Sequence, residues 1–188
     1  MDRRMMLGTV GAGALALWLG GCAGEAEAPA QPFFTRINKP IGLQLYALGD
    51  EVAEDIPGTF ARMKQLGYGT FELPGLYGRD PAELRSMAND AGVTIASLHI
   101  PARAMVPGPA PTFADDPDTI AAIAEALGID QLVIPIAPMP EGLPAVAGEG
   151  MRETIDRSFR SATLDHWNAT AELFNQIGSA MKDRRLRL

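Results

Sequence analysis

The chain is poor in several of the side chains on which protein chemistry often depends. A single cysteine, Cys22, excludes an internal disulfide and any zinc-knuckle spacing. Two histidines, His99 and His166, restrict histidine-based metal or triad chemistry within these residues. Positive charge is scarce: 16 Lys and Arg against 23 Asp and Glu leave a formal net charge of −7. With no basic stripe, nucleic acid is excluded as a partner class. No apolar run is long enough for a comfortable membrane span, since Met5 to Leu19 is short and glycine-rich. No G-x-G-x-x-G follows the first strand pattern, which argues against a dinucleotide site. What remains is ordinary globular material. The chain has 188 residues, 47% hydrophobic and 21% charged, enough for one domain or a little more, and disordered, collagen-like and disulfide-framework classes are excluded.

Residues 1–21 combine a charged start, an apolar run and small residues. Arg3 and Arg4 precede Met5, Met6 and Leu7 and resemble a twin-arginine export signal. Leu19-Gly20-Gly21-Cys22 resembles a bacterial lipobox, which makes Cys22 the expected lipidation site. The mature chain would then begin at Cys22 and be held on the periplasmic side of the inner or outer membrane by acyl chains rather than by a spanning helix. Residues 22–38 are small, acidic and proline-containing, as expected of a flexible tether.

From residue 39 the pattern alternates. Apolar strand patterns fall at Ile41–Tyr46, Thr70–Leu73, Val93–Ile100 and Gln131–Ile136. Helical spacing falls at Glu51–Leu66, Pro81–Asn89 and Pro117–Leu127, and from Gly148 to about Lys182 with a break near Thr163. Arg184–Leu188 has the pattern of a further strand's beginning. Strands recur at intervals of about 25–35 residues, the spacing of βαβ units, so an α/β chain with a parallel sheet is expected. An open doubly wound sheet and part of an eight-stranded barrel both satisfy this spacing.

Three runs carry a family resemblance: Gly42-Leu43-Gln44-Leu45-Tyr46, Gly67 through Gly78, and Ala91-Gly92-Val93 leading to Ser97-Leu98-His99-Ile100. They resemble the sugar phosphate isomerase/epimerase family, xylose isomerase-like (β/α)8 TIM barrels that include endonuclease IV. Asp165-His166-Trp167-Asn168 to Lys182 resembles the helix before that family's fifth strand. The resemblance implies a TIM barrel of which about the first four βα units are present, with residues 39–188 its N-terminal half. It also implies that a divalent metal (Mn, Mg, Zn or Co) belongs to the complete barrel, with ligands beyond Leu188 and none within these residues. A half barrel would have open sheet edges, so self-association is expected.

Four residues are candidates for the site. Glu72 ends the second strand, where barrel enzymes place functional groups, and His99 ends the third; these two are the catalytic candidates. A rim salt bridge for Glu72 and a paired core histidine for His99 are the structural alternatives. Gln44 and Tyr46, ending the first strand, are the substrate-binding candidates, with a structural amide and a packing ring as alternatives. His166 is expected to be a solvated residue near a helix start, Trp167 to pack that helix onto the sheet, and Lys182, Arg184, Arg185 and Arg187 to complement a helix C-terminus.

The resemblance implies an exported, membrane-anchored isomerase or epimerase acting on a sugar or sugar derivative by metal-assisted proton transfer. A non-catalytic sugar-binding lipoprotein and an inactive truncated product are the alternatives. Endonuclease-like phosphodiester cleavage, which the resemblance formally allows, conflicts with the acidic balance.

Overall fold

The computed structural model describes residues 31–104, 108–140 and 146–188; residues 1–21, expected to be an export signal, Cys22, the expected lipidation site, and residues 105–107 and 141–145 lie outside them. Two units divide the chain, Met1–Lys39 and Pro40–Leu188. In the first, the stretch expected to be a tether includes one helical turn, α1 (Phe33–Arg36), on which Phe33 and Phe34 meet edge to face at 5.4 Å and both are exposed.

The second unit alternates strand and helix. β1 (Ile41–Gln44) is followed by a 3-10 turn (Leu45–Leu48), α2 (Glu51–Glu54) and α3 (Ile56–Gln65). Then come β2 (Tyr68–Leu73), α4 (Pro81–Asp90), β3 (Thr94–His99), α5 (Pro117–Leu127), β4 (Leu132–Val133), α6 (Met151–Arg160) and α7 (Leu164–Asp183). The four strands form one parallel sheet in the order β1-β2-β3-β4. A parallel bridge joins Gln131 to Arg187, with Leu132 N–H donating to Arg187 O at 2.9 Å and Arg187 N–H to Asp130 O at 2.8 Å. The C-terminal residues thus sit beside β4 as a fifth strand would.

Aspartate and proline together start α4 and α5. Asp80 accepts from the N–H groups of Ala82 and Glu83 ahead of Pro81, and Asp116 accepts from Asp118 N–H ahead of Pro117. Proline at the first turn loses no hydrogen bond, because that N–H has no intrahelical acceptor. The same pair corrects one expectation: the helix read over Glu51–Leu66 is two helices. Pro57 cannot sit inside a helix, where its ring meets the carbonyl four residues back. The chain therefore breaks at Asp55, whose carboxylate caps α3 by accepting from Gly58 N–H at 2.9 Å.

Three strands are shorter than their patterns, β3 by one residue at each end. β1 ends at Gln44, where the 3-10 turn carries Leu45 into the core and leaves Tyr46 74% exposed. β4 ends at Val133, two residues before Pro135, which has no N–H for a ladder.

One face of the sheet is covered by α3, α4, α5 and α7, each against the next. Phe71 and Leu73 of β2 and Leu98 of β3 are fully buried there, and Phe71 stacks on Phe60 of α3 at 5.2 Å. Arg184 pairs with Asp118 of α5 at 2.7 Å and Arg187 with Asp130 at 2.7 Å, so these two cations hold the C-terminus to neighbouring elements as well as following a helix end. Trp167 stacks on Phe159 of α6 at 5.7 Å, packing helix on helix rather than helix on sheet as expected. Among the described residues no helix is long and apolar enough to cross a membrane.

Candidate functional site

Side chains alternate across a strand, so the residues between Phe71 and Leu73 and around Leu98 face away from the helices. Gln44, Glu72 and Ser97 are register partners across β1, β2 and β3, and His99 lies two residues beyond Ser97 on the same face. Parallel pairing thus places four polar side chains, with hydrogen-bonded partners 25 to 55 residues apart in the sequence, in one cluster.

Glu72 is its centre. Oε2 accepts from the Ser97 hydroxyl at 2.6 Å, and Oε1 accepts from the Gln44 amide at 2.7 Å. His99 Nε2 lies 2.9 Å from Oε1 and 3.0 Å from the Gln44 amide nitrogen. With the ring proton on Nε2, histidine donates to the carboxylate; with the proton on Nδ1, Nε2 accepts from the amide instead. The Glu72 side chain is 27% exposed and that of His99 10%. Burial by itself raises the Glu72 pKa. The hydrogen bonds from Ser97 and His99, the histidine charge and the Gln44 amide outweigh it and hold the carboxyl below its ordinary value.

Of the sequence candidates, Gln44, Glu72 and His99 come together. Tyr46 stays outside the cluster on the exposed turn, and Cys22 lies outside the described residues. Ser97 is the member that the sequence reading passed over. Its signal was the two-residue spacing to His99, which puts both on the same face of the strand.

His99 also opens onto a cavity of about 520 Å³ lined by Pro74, Leu76, Tyr77, Arg79 and Pro101. Tyr77 holds a positive φ of 52°, uncommon for a residue with a side chain, and its hydroxyl is buried without a hydrogen-bond partner. Burial pushes its pKa up to about 12, so it stays a neutral phenol.

The cluster sits at the carboxyl ends of parallel strands, the face on which barrel enzymes build their sites. A solved sugar phosphate isomerase/epimerase from Parabacteroides distasonis is similar in structure, with a TM-score of 0.52 and 21% sequence identity over 78% of this chain and 48% of that one. The fold is that of a partial (β/α)8 barrel. This chain spans about half the length of that structure. No protein-family model matches the sequence, and no curated protein does. In barrel terms the helix-free face is the inner wall, and Gln44, Glu72, Ser97 and His99 line its upper rim. Among the described residues no group of three His, Cys, Asp or Glu side chains is placed to hold a metal ion.

Proposed function

We propose that this chain is the N-terminal half of a sugar or sugar-derivative isomerase or epimerase, exported and anchored to a membrane through Cys22. The observation that carries the reading is the Gln44–Glu72–Ser97–His99 cluster at the carboxyl ends of β1, β2 and β3, beside the cavity onto which His99 opens. Its likeness to a solved sugar phosphate isomerase/epimerase supports the same substrate class. The divalent metal belongs, in this reading, to the complete barrel, with ligands outside these residues.

The residues in hand orient and exchange protons. Ser97 and Gln44 fix both carboxylate oxygens of Glu72. Glu72 then engages His99 Nε2 and leaves Nδ1 as the nitrogen for a substrate oxygen. His99 is the catalytic residue of this half and Glu72 its positioning partner. As a separate chain the half barrel would associate through β1 at one edge and the Arg187 segment at the other.

The test is deuterium wash-in from D2O into a panel of pentoses, hexoses and uronates, with the complete gene product and added divalent metal. At least one sugar should exchange the hydrogen beside its carbonyl. His99→Asn should lower kcat/KM about 100-fold. Binding without exchange by the wild type would favour the sugar-binding lipoprotein. Wild-type rates in His99→Asn would remove the histidine from the mechanism.

A further inference from the structure

Among the described residues two buried polar side-chain atoms lack a hydrogen-bond partner, His166 Nε2 and the Tyr77 hydroxyl. His166, expected to be solvated, is instead packed edge-on against Trp167 at 5.2 Å in the first turn of α7. Tyr77 lines the cavity onto which His99 opens. Its hydroxyl is closed off from solvent, so the hydroxyl is not what borders that cavity. Tyr77 and Gly78 both hold positive φ, 52° and 69°, in a turn that Arg79 N–H closes on Leu76 O at 2.9 Å. Glycine or asparagine would take the first of these positions with less strain. A tyrosine held there, despite a strained backbone and an unpaired hydroxyl, points to a use for its ring.

The wall it joins is apolar. Pro74, Leu76 and Tyr77 come from the loop after β2, and Pro101, Pro109 and Pro111 from the loop after β3. Four of these six residues are prolines, which have no N–H to offer a ligand and whose rings fix φ. The loop from Pro101 to Pro111 has Arg103 as its one ionisable side chain, so its apolar character is a property of the sequence itself. Leu76 and Tyr77 also pack against the core, and Phe113 N–H donates to Pro101 O at 2.9 Å, tying the far end of the proline loop to its start. Arg79, which also lines the cavity, is paired with Glu83 at 3.6 Å.

Size and chemistry divide a ligand between this wall and the polar cluster. A cavity of roughly 150 Å³ holds one benzene ring, and this one measures about 520 Å³, room for a sugar ring and a second group. A sugar hydroxyl pressed on proline rings would lose its hydrogen bonds to water and gain none. The hydroxyls belong on the Gln44–Glu72–Ser97–His99 cluster, which carries donors and acceptors. The wall of tyrosine, leucine and prolines suits an apolar group that gains by leaving water.

We propose that the cavity beside His99 is a subsite for an apolar substituent on the sugar, an aryl or alkyl group packed against Tyr77 and the proline loop. The proposal rests on the reading of this face as a sugar-derivative site and specifies the derivative as one with an apolar arm.

Phenyl glycosides are the probes, because a closed acetal binds without turning over. The phenyl glycosides of glucose, galactose, xylose and glucuronic acid, their parent sugars, and phenol are titrated into the full chain. Saturation-transfer NMR reads which ligand protons touch the protein. At least one phenyl glycoside should bind about tenfold or more tighter than its parent sugar, with the strongest saturation on its phenyl protons. Tyr77→Gly, which suits the positive φ, and Ala110→Asp, which sets a carboxylate in an exposed part of the wall, should each remove most of that gain. The two substitutions lie on separate loops, and thermal denaturation tells a lost subsite from a lost fold. Equal affinity for phenyl glycosides and parent sugars, no binding of either, or a gain that survives both substitutions overturns the proposal. Phenol binding as tightly as every phenyl glycoside would sink the sugar reading and keep the apolar subsite. Parent sugars binding without any phenyl gain would sink the subsite alone.

Discussion

Glu72 stays ionised at a half-buried position because three neighbours bond its two oxygens. Its folded pKa is lower than its unfolded one, so the ionised carboxylate adds stability above the ordinary carboxylate range, and that contribution is lost as pH falls through the lower folded value. The difference in urea midpoint between the wild type and Glu72→Gln should therefore shrink as pH falls from 7 to 3. A difference that stays constant across this window would contradict the network. Glu72, His99 and Gln44 were legible in the sequence because each is a polar residue at the end of an apolar strand pattern. Tyr46 was misplaced because its alternation continues past the point where the backbone turns. The burial of Tyr77 and His166 is set by loops and a neighbouring helix, and local pattern does not encode those.

At the scale of elements, the helix starts were the most legible feature. Aspartate and proline act within four residues of each other, so Pro81 and Pro117 mark their helices without tertiary information. Asp80→Ala should cost about 1 kcal/mol, read by urea denaturation, because two N–H donors lose their acceptor. An unchanged midpoint would mean that water replaces the cap without loss. Strand ends were less legible. Ladder length depends on the partner strand and on the next proline, as Pro135 shows by ending β4 early. The break at Asp55 was legible in principle, since Pro57 stands in the sequence, but apolar spacing runs unbroken through it.

Over the whole molecule, the helix-facing side of the sheet is the stabilising one. Phe71, fully buried and stacked on Phe60, joins β2 to α3. Phe71→Ala should cost about 3–5 kcal/mol, enough to unfold much of the population near physiological temperature, as thermal denaturation would show. A loss below about 1 kcal/mol would mean that the core closes elsewhere. The inner face carries chemistry in place of packing, and the parallel sheet, though not its strand order, was readable from the βα spacing because each helical crossover returns the chain in the same direction. Spacing alone left open sheet and barrel unresolved; the sequential order β1-β2-β3-β4 and the likeness to a solved sugar phosphate isomerase/epimerase decide between them. The most direct measurement of the proposed half-barrel enzyme is the coding DNA beyond the codon for Leu188. An in-frame continuation with further βα units and strand-end carboxylate and histidine ligands is the predicted result. A stop codon at that point would contradict the enzyme reading for this product.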